Sequence, residues 1–204
     1  WDFGASFSND FSVQVDKGIA KQLKASQKQV LTLRVWNNKN LVGITTTSDL
    51  SENGLKKALH QANIASEYGN KNELTDFSPL AKIPIKKIKE SKRSPAGIKK
   101  LLESLRIAEN ELLKKHSAIK AIPYNGLSES FFKRIYANSE GAQRSYEKSQ
   151  AALYLYARAE ENNRKPRSSG CVKIGYGLDD IDINSCIDEA AEKTISHLNY
   201  STVE

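Results

Sequence analysis

Hydrophobic and polar positions alternate near the start of the chain. Phe11, Val13 and Val15 are interleaved with Ser12, Gln14 and Asp16, the period-2 pattern of a half-buried strand over residues 11–16. Lys17-Gly18 supplies a turn, and residues 19–25 form a weaker strand candidate. Over residues 29–36, Leu31, Leu33 and Val35 share one face, and Thr32, Arg34 and Trp36 the other. Asn37-Asn38-Lys39-Asn40 is turn chemistry, because asparagine tolerates left-handed backbone angles. A β-branched strand returns over residues 41–47, where Gly43 marks a bulge or a close backbone approach.

The period then becomes helical. Ser51 has a hydroxyl able to cap the free N–H groups of a first turn, and Leu50 with Leu55 matches a hydrophobic staple. Leu55, Ala58, Leu59, Ala62 and Ala65 form the expected apolar stripe, and Gly69 is the expected stop. Residues 70–93 read as a connector, polar first and then basic. Ser94-Pro95 opens a second helix, with serine as cap and proline at the first helical position. Its core face is Ile98, Leu101, Leu102, Leu105, Ala108, Leu112 and Leu113, ending near His116.

A second strand-rich segment follows over residues 118–128, 130–137, 142–148 and 150–158, with a hairpin turn at Asn138-Ser139-Glu140-Gly141. Leu153, Leu155 and Ala157 oppose Tyr154, Tyr156 and Arg158. Residues 160–170 read as an exposed loop, 171–176 as a short strand, and Asp182 to about Leu198 as a last helix. The fold class is therefore α+β, with antiparallel β-meanders and packed helices. A first half covers about residues 1–75, a basic connector about 76–93, and a second half about 94–204. Each half runs a strand meander into a helix, and each helix entry places an apolar residue before a cap: Asp49-Leu50-Ser51 and Asp180-Ile181-Asp182. An old duplication and the ordinary grammar of helix starts explain this echo equally well.

Composition bounds the rest. With 204 residues, 27% charged and 39% hydrophobic, the chain suits one ordinary domain or two small ones. No window is apolar enough for a membrane span. WDFGASFSND has neither the basic nor the apolar region of a secretory leader, so a cytoplasmic location is expected. There is no Met and the chain begins at Trp1, so it is read as a piece of something longer. Cys171 and Cys186 are too few for a disulfide framework and are expected as reduced, partly buried thiols. The net charge is +7, and eight basic residues fall between Lys82 and Lys100. That run has no aromatic residue for base stacking, so it reads as a solvated linker, and nucleic acid is not the expected partner.

Candidate chemistry is sparse. His60, His116 and His197 are not spaced as the paired imidazoles of a zinc peptidase helix. No nucleophile elbow, phosphate loop or dinucleotide fingerprint is present. Ser168-Ser169-Gly170-Cys171 places a cysteine in a loop-like setting without a thiolate-stabilising signal. Asp179-Asp180 and Glu160-Glu161 are ordinary surface pairs. No residue is assigned as catalytic, cofactor-binding or metal-ligating.

The wording of several segments adds a resemblance. Leu33-Arg34-Val35, Gly43, Thr47-Ser48-Asp49-Leu50 and the helix after them resemble the N-terminal region of the TldD/PmbA family, long labelled modulator of DNA gyrase. Asn138-Ser139-Glu140-Gly141 followed by Tyr146 is similar to the family's N-S-x-G turn. Leu153–Glu161 resembles a family strand that ends in acidic residues. The connector ASEYGNKNELTDFSPL looks closer to the PmbA (TldE) branch than to the TldD branch. The resemblance implies a subunit of a zinc-dependent peptidase acting on peptides or small unfolded proteins, and dimeric assembly with a TldD-like subunit or a second copy. The family's H-E-x-x-x-H metal motif belongs to a C-terminal half absent from this chain, so zinc is expected there and no catalytic residue carries over. A sheet edge is expected to hold peptide by strand addition. Three rivals stand beside this reading. One is a catalytic TldD-like subunit. Another is a nucleic-acid-associated gyrase modulator, which would need the run containing Lys86, Lys87 and Lys89 as its surface. The third is an inert dimerisation domain.

Overall fold

The computed structural model describes residues 1–70, 77–84 and 94–200. Three strands, β1 (Asp2–Asp16), β2 (Ile19–Trp36) and β3 (Val42–Thr47), lead into helix α1 (Glu52–Glu67). Helix α2 (Gly97–Lys114) follows, then β4 (Ile119–Asn138), β5 (Gln143–Ala159), β6 (Arg167–Gly175) and helix α3 (Ile183–Ser196). The strands form one six-stranded antiparallel sheet in the order β3-β2-β1-β4-β5-β6.

The strands are longer than the sequence pattern marks. Residues 19–25 and 29–36 are parts of one 18-residue strand, and the four expected strands between 118 and 158 are two, of 20 and 17 residues. Both turns are where expected. Lys17 and Gly18 have φ of 52° and 75°, the paired positive angles of a two-residue hairpin turn. At the other, Asn138 Oδ1 accepts from the N–H groups of Glu140 (3.1 Å) and Ala142 (3.0 Å), and Gly141 takes φ 86°. Strand β6 begins at Arg167, so Ser168, Ser169, Gly170 and Cys171 are strand and not loop.

Contacts divide the chain into two compact units. Unit 1 holds residues 1–9, 27–90 and 132–148; unit 2 holds residues 10–26, 91–131 and 149–204. In unit 1, α1 packs on β3. Ser51 caps the helix, its Oγ accepting from Gly54 N at 3.1 Å. The buried face differs from the expected stripe. Gly54, Ala58, Ala62 and Ser66 are buried, whereas Leu55 and Leu59 are 38% and 47% exposed. The reason is close approach: a Cβ on Gly43 of β3 would lie 1.9 Å from the Ala62 carbonyl oxygen. Only small side chains fit between backbones that near, so the leucines turn outward. Gly69 has a related role and not that of a left-handed stop. The helix ends with Tyr68 at φ −111°, and a Cβ on Gly69 would meet Val42 O at 2.1 Å.

In unit 2, α2 and α3 pack together, and α3 lies on β6. Their core joins Val13 and Val15 of β1, Leu101, Leu105 and Leu112 of α2, Leu127 of β4, Leu153 and Leu155 of β5, and Cys186 and Ile187 of α3. The stripe expected on α2 is the one that is buried or half-buried. Its start differs. Ser94 does not cap it; the helix begins at Gly97 without a side-chain cap. The Ala96 N–H donates instead to the buried carboxylate of Glu129 at 2.7 Å, and negative charge at a helix N-terminus is favourable. Asp182 caps α3 as expected, accepting from Ser185 N at 2.9 Å.

Candidate functional site

The residues that sequence reasoning weighed for chemistry do not converge. His60 lies exposed on α1, and His116 and His197 are exposed in unit 2. His116 Nδ1 accepts from the Ala118 N–H at 3.0 Å, which gives it a turn-closing role. Among the described residues, no three histidine, cysteine, aspartate or glutamate side chains are placed to hold a metal ion. The zinc implied by the resemblance does not fit the residues described.

The two cysteines are neighbours across β6 and α3, with Cys186 Sγ 3.8 Å from the Cys171 carbonyl oxygen. Both are free and buried. Burial pushes the Cys186 thiol up to about 12 and raises that of Cys171 as well, helped by a hydrogen bond to Glu189. Thiols held in the neutral form are poor nucleophiles. Glu189 is drawn down to about 2, chiefly by its hydrogen bonds to Lys173 and Lys193, each at 2.6 Å.

The acidic pairs and the ends of the basic run are engaged in ion pairs. Asp179 meets Lys100 at 2.9 Å, Glu160 meets Arg158 at 3.0 Å, and Glu161 meets Arg164 at 3.4 Å. Lys82 pairs with Glu140 at 3.1 Å. Lys86, Lys87 and Lys89 lie outside the described residues.

Three buried carboxylates passed unnoticed in the sequence. Asp2 takes Arg34 on both oxygens, Nε at 2.8 Å and Nη2 at the second, with the Tyr136 hydroxyl at 3.3 Å. Glu109 of α2 accepts from the N–H groups of Lys17 (3.1 Å) and Gly18 (2.7 Å), tying the first hairpin turn to the helix. Glu129 joins the start of α2 to the turn before α3 by accepting from Ala96 and from Leu178 N at 3.1 Å. Each one's partners satisfy its charge: Asp2 ties residues of three strands together, whereas Glu109 and Glu129 fix turns. A single sequence gives no sign of them, because their partners are backbone groups or lie 32 to 134 residues away.

What remains is a surface. In unit 2 the helices cover the sheet face that carries Leu153, Leu155 and Ala157. The opposite face, which no helix among the unit's described residues covers, carries Tyr154 and Tyr156 on β5. Val172 and Gly170 of β6 are their register partners. The tyrosine rings lie over glycines: a Cβ on Gly126 would sit 2.5 Å from the Tyr154 ring, and one on Gly170 would sit 2.7 Å from that of Tyr156. Gln14 Nε2 donates to the Tyr154 hydroxyl at 2.8 Å. Tyr124, Val172 and Ile174 are exposed. An aromatic and aliphatic sheet face with fixed rings can bind a ligand.

The architecture defines a class: an α+β protein with, among the described residues, one antiparallel six-stranded sheet and three α-helices, in two compact units. The chain belongs to the PmbA/TldA metallopeptidase family. The model of that family's central domain matches residues 90–198, and the model of its domain 1 matches residues 1–65. Solved structures share the fold. A proposed modulator of a DNA gyrase (TM0727) from Thermotoga maritima MSB8 superposes with a TM-score of 0.80 at 18% identity, over 100% of this chain and 46% of that one. TldE from Thermococcus kodakarensis gives 0.77 at 17% identity, over 95% and 43%. A second proposed modulator of DNA gyrase, BT3649 from Bacteroides thetaiotaomicron VPI-5482, gives 0.78 at 13%, over 100% and 47%. The chain thus spans less than half the length of each of these structures. No curated protein matches it. No helix among the described residues is long and apolar enough to cross a membrane.

Proposed function

We propose that this chain is the N-terminal region of a PmbA/TldE-like subunit of a zinc-dependent peptidase, non-catalytic in itself. It acts beside a TldD-like subunit on peptides or small unfolded proteins. The observation that carries the reading is the paired match to domain 1 and the central domain of a metallopeptidase family. The scattered, exposed histidines support a framing and not a bond-breaking role for these residues. The connector after α1, closer in wording to PmbA, favours that branch.

The test pairs the full-length protein with a TldD-like subunit and follows hydrolysis of an unfolded peptide. Activity is expected only from the pair, lost on chelation and restored by zinc. A triple variant His60→Ala, His116→Ala, His197→Ala is expected to keep that activity. Hydrolysis by the full-length subunit alone would overturn the reading in favour of a catalytic TldD-like protein.

A further inference from the structure

We infer that Phe77–Ile83 is a releasable strap, latched by Arg144 across one end of the sheet in unit 1. A ligand that carries a carboxylate opens it by taking the Arg144 guanidinium.

The strap is held at two ends and buries no side chain of its own. At one end the Phe77 ring meets the Trp36 ring edge-on, with centroids 6.0 Å apart. At the other, Arg144 Nη2 donates to the carbonyl oxygens of Ala81 and, at 2.7 Å, of Ile83. Beside it Lys82 and Glu140 form an exposed ion pair, which adds little. Trp36 lies on β2 and Arg144 on β5, with β1 and β4 between them in the sheet. The segment therefore crosses two strands, and all of these residues belong to unit 1. From Phe77 to Ile83 every side chain is exposed or half-buried, and Leu80 and Ile83 are 70% and 54% exposed. With so little apolar area removed from water, the hydrogen bonds of one arginine are the main hold.

Two features poise the strap to open. The Trp36 indole nitrogen is buried and has no acceptor. An unpaired buried donor costs free energy, and lifting Phe77 lets water pair it. The acceptors of Arg144 among the described residues are neutral backbone carbonyls, those of Ala81, Ile83 and Gln143. A carboxylate makes charge-assisted, two-pronged bonds to a guanidinium, about twice as strong as neutral ones, so it displaces the carbonyls. Arg34 is already engaged by Asp2 on both oxygens, which leaves Arg144 as the arginine able to change partner. Opening uncovers the Trp36 ring with the Arg34 guanidinium 5.4 Å from its centroid, an aromatic and cationic floor beneath the strap.

The test reads the proton on Trp36 Nε1. The chain holds two tryptophans, so Trp1→Phe leaves a single indole N–H signal in the NMR spectrum. Buried without a hydrogen bond, that proton exchanges with water when the strap lifts, and its rate follows the open population. In this background Arg144→Ala is expected to speed the exchange about tenfold. Glutarate at constant ionic strength is expected to speed it where Arg144 is present. Glutaramide, its uncharged counterpart, is expected to leave it unchanged, and glutarate is expected to add nothing in Arg144→Ala. The backbone N–H of Ala62 in α1 is followed in parallel and is expected to keep its rate. Trp36 exchange indifferent to Arg144→Ala would overturn the inference, as would a glutarate effect that survives in that variant or is matched by glutaramide. Equal acceleration at Ala62 would mean that the unit loosens as a whole, and would overturn the latch too. The glutarate measurement with Arg144 intact needs no substitution at the latch, so misfolding of the variant cannot decide it.

Discussion

Arg34 grips the carboxylate of Asp2 with two nitrogens, 32 positions apart in the chain. Asp2 is buried, whereas the Arg34 side chain is 43% exposed. The pair raises the Arg34 pKa, chiefly through the hydrogen bond to Asp2. Its guanidinium also lies over the Trp36 ring, 5.4 Å from the centroid, and Phe77 meets that ring edge-on. Removing the arginine strands a buried negative charge. Arg34→Ala is expected to cost about 2 kcal/mol, below the range for a fully buried pair because water reaches the guanidinium. Arg34→Lys is expected to recover part of that loss, lacking the two-pronged geometry. Urea midpoints of the three proteins decide it, and an unchanged midpoint for Arg34→Ala would count against the pair as an anchor.

The contact of α1 with β3 makes a second prediction. Gly43→Ala would push a methyl group into the Ala62 carbonyl. The loss expected is about 3 kcal/mol, since backbone must move. Gly4→Ala is the matched control, because nothing lies within 4 Å of the added carbon; it is expected to stay within about 0.5 kcal/mol. Thermal melts of both variants provide the comparison, and equal effects would refute the close approach.

Glu189 gives a pH dependence. Its carboxyl falls from an ordinary 4.5 to about 2 in the folded chain because Lys173 and Lys193 hold the charged form. A depressed folded pKa means that the unfolded state binds the proton first, so the contribution is complete above about 4.5 and drains away as pH falls toward about 2. The difference in melting temperature between the native protein and Glu189→Gln is therefore expected to shrink across that window. A difference constant from pH 6 to pH 2 would speak against the lysine pairing.

The buried thiols predict silence under native conditions. Burial moves the Cys186 thiol from 9.0 to about 12, which leaves about a thousandfold less thiolate near neutral pH. A colorimetric disulfide reagent is expected to titrate no thiol in the folded chain and both Cys171 and Cys186 after urea. Rapid labelling of either residue in the folded protein would contradict the burial.

Features that act over a few residues were legible in the sequence. The caps at Ser51 and Asp182 and the turns at Lys17-Gly18 and Asn138–Gly141 stand where side-chain and backbone chemistry place them. The alternation of Leu153, Leu155 and Ala157 with Tyr154 and Tyr156 separated the two faces of β5. Features that depend on distant partners were not. The stripe on α1 included Ala58 and Ala62, which are buried, but also Leu55 and Leu59, which turn outward because the backbone of β3 at Gly43 comes too near for long side chains. Ser94 had the form of a cap, yet Glu129 holds the entrance to α2. The candidate surface was half legible: its tyrosines were seen, and their seating over Gly126 and Gly170 was not, because those glycines lie on other strands.

By itself the sequence determined the kinds of elements, their caps and turns, the α+β class, and the wording that the family models match. Those depend on local chemistry, which a linear chain carries intact. Tertiary structure alone decided that short strand candidates fuse into long ones, which face of α1 is buried, and which carboxylates are anchored inside. Those depend on how closely one backbone can approach another and on which polar groups burial deprives of water, and neither has a value until the chain has folded.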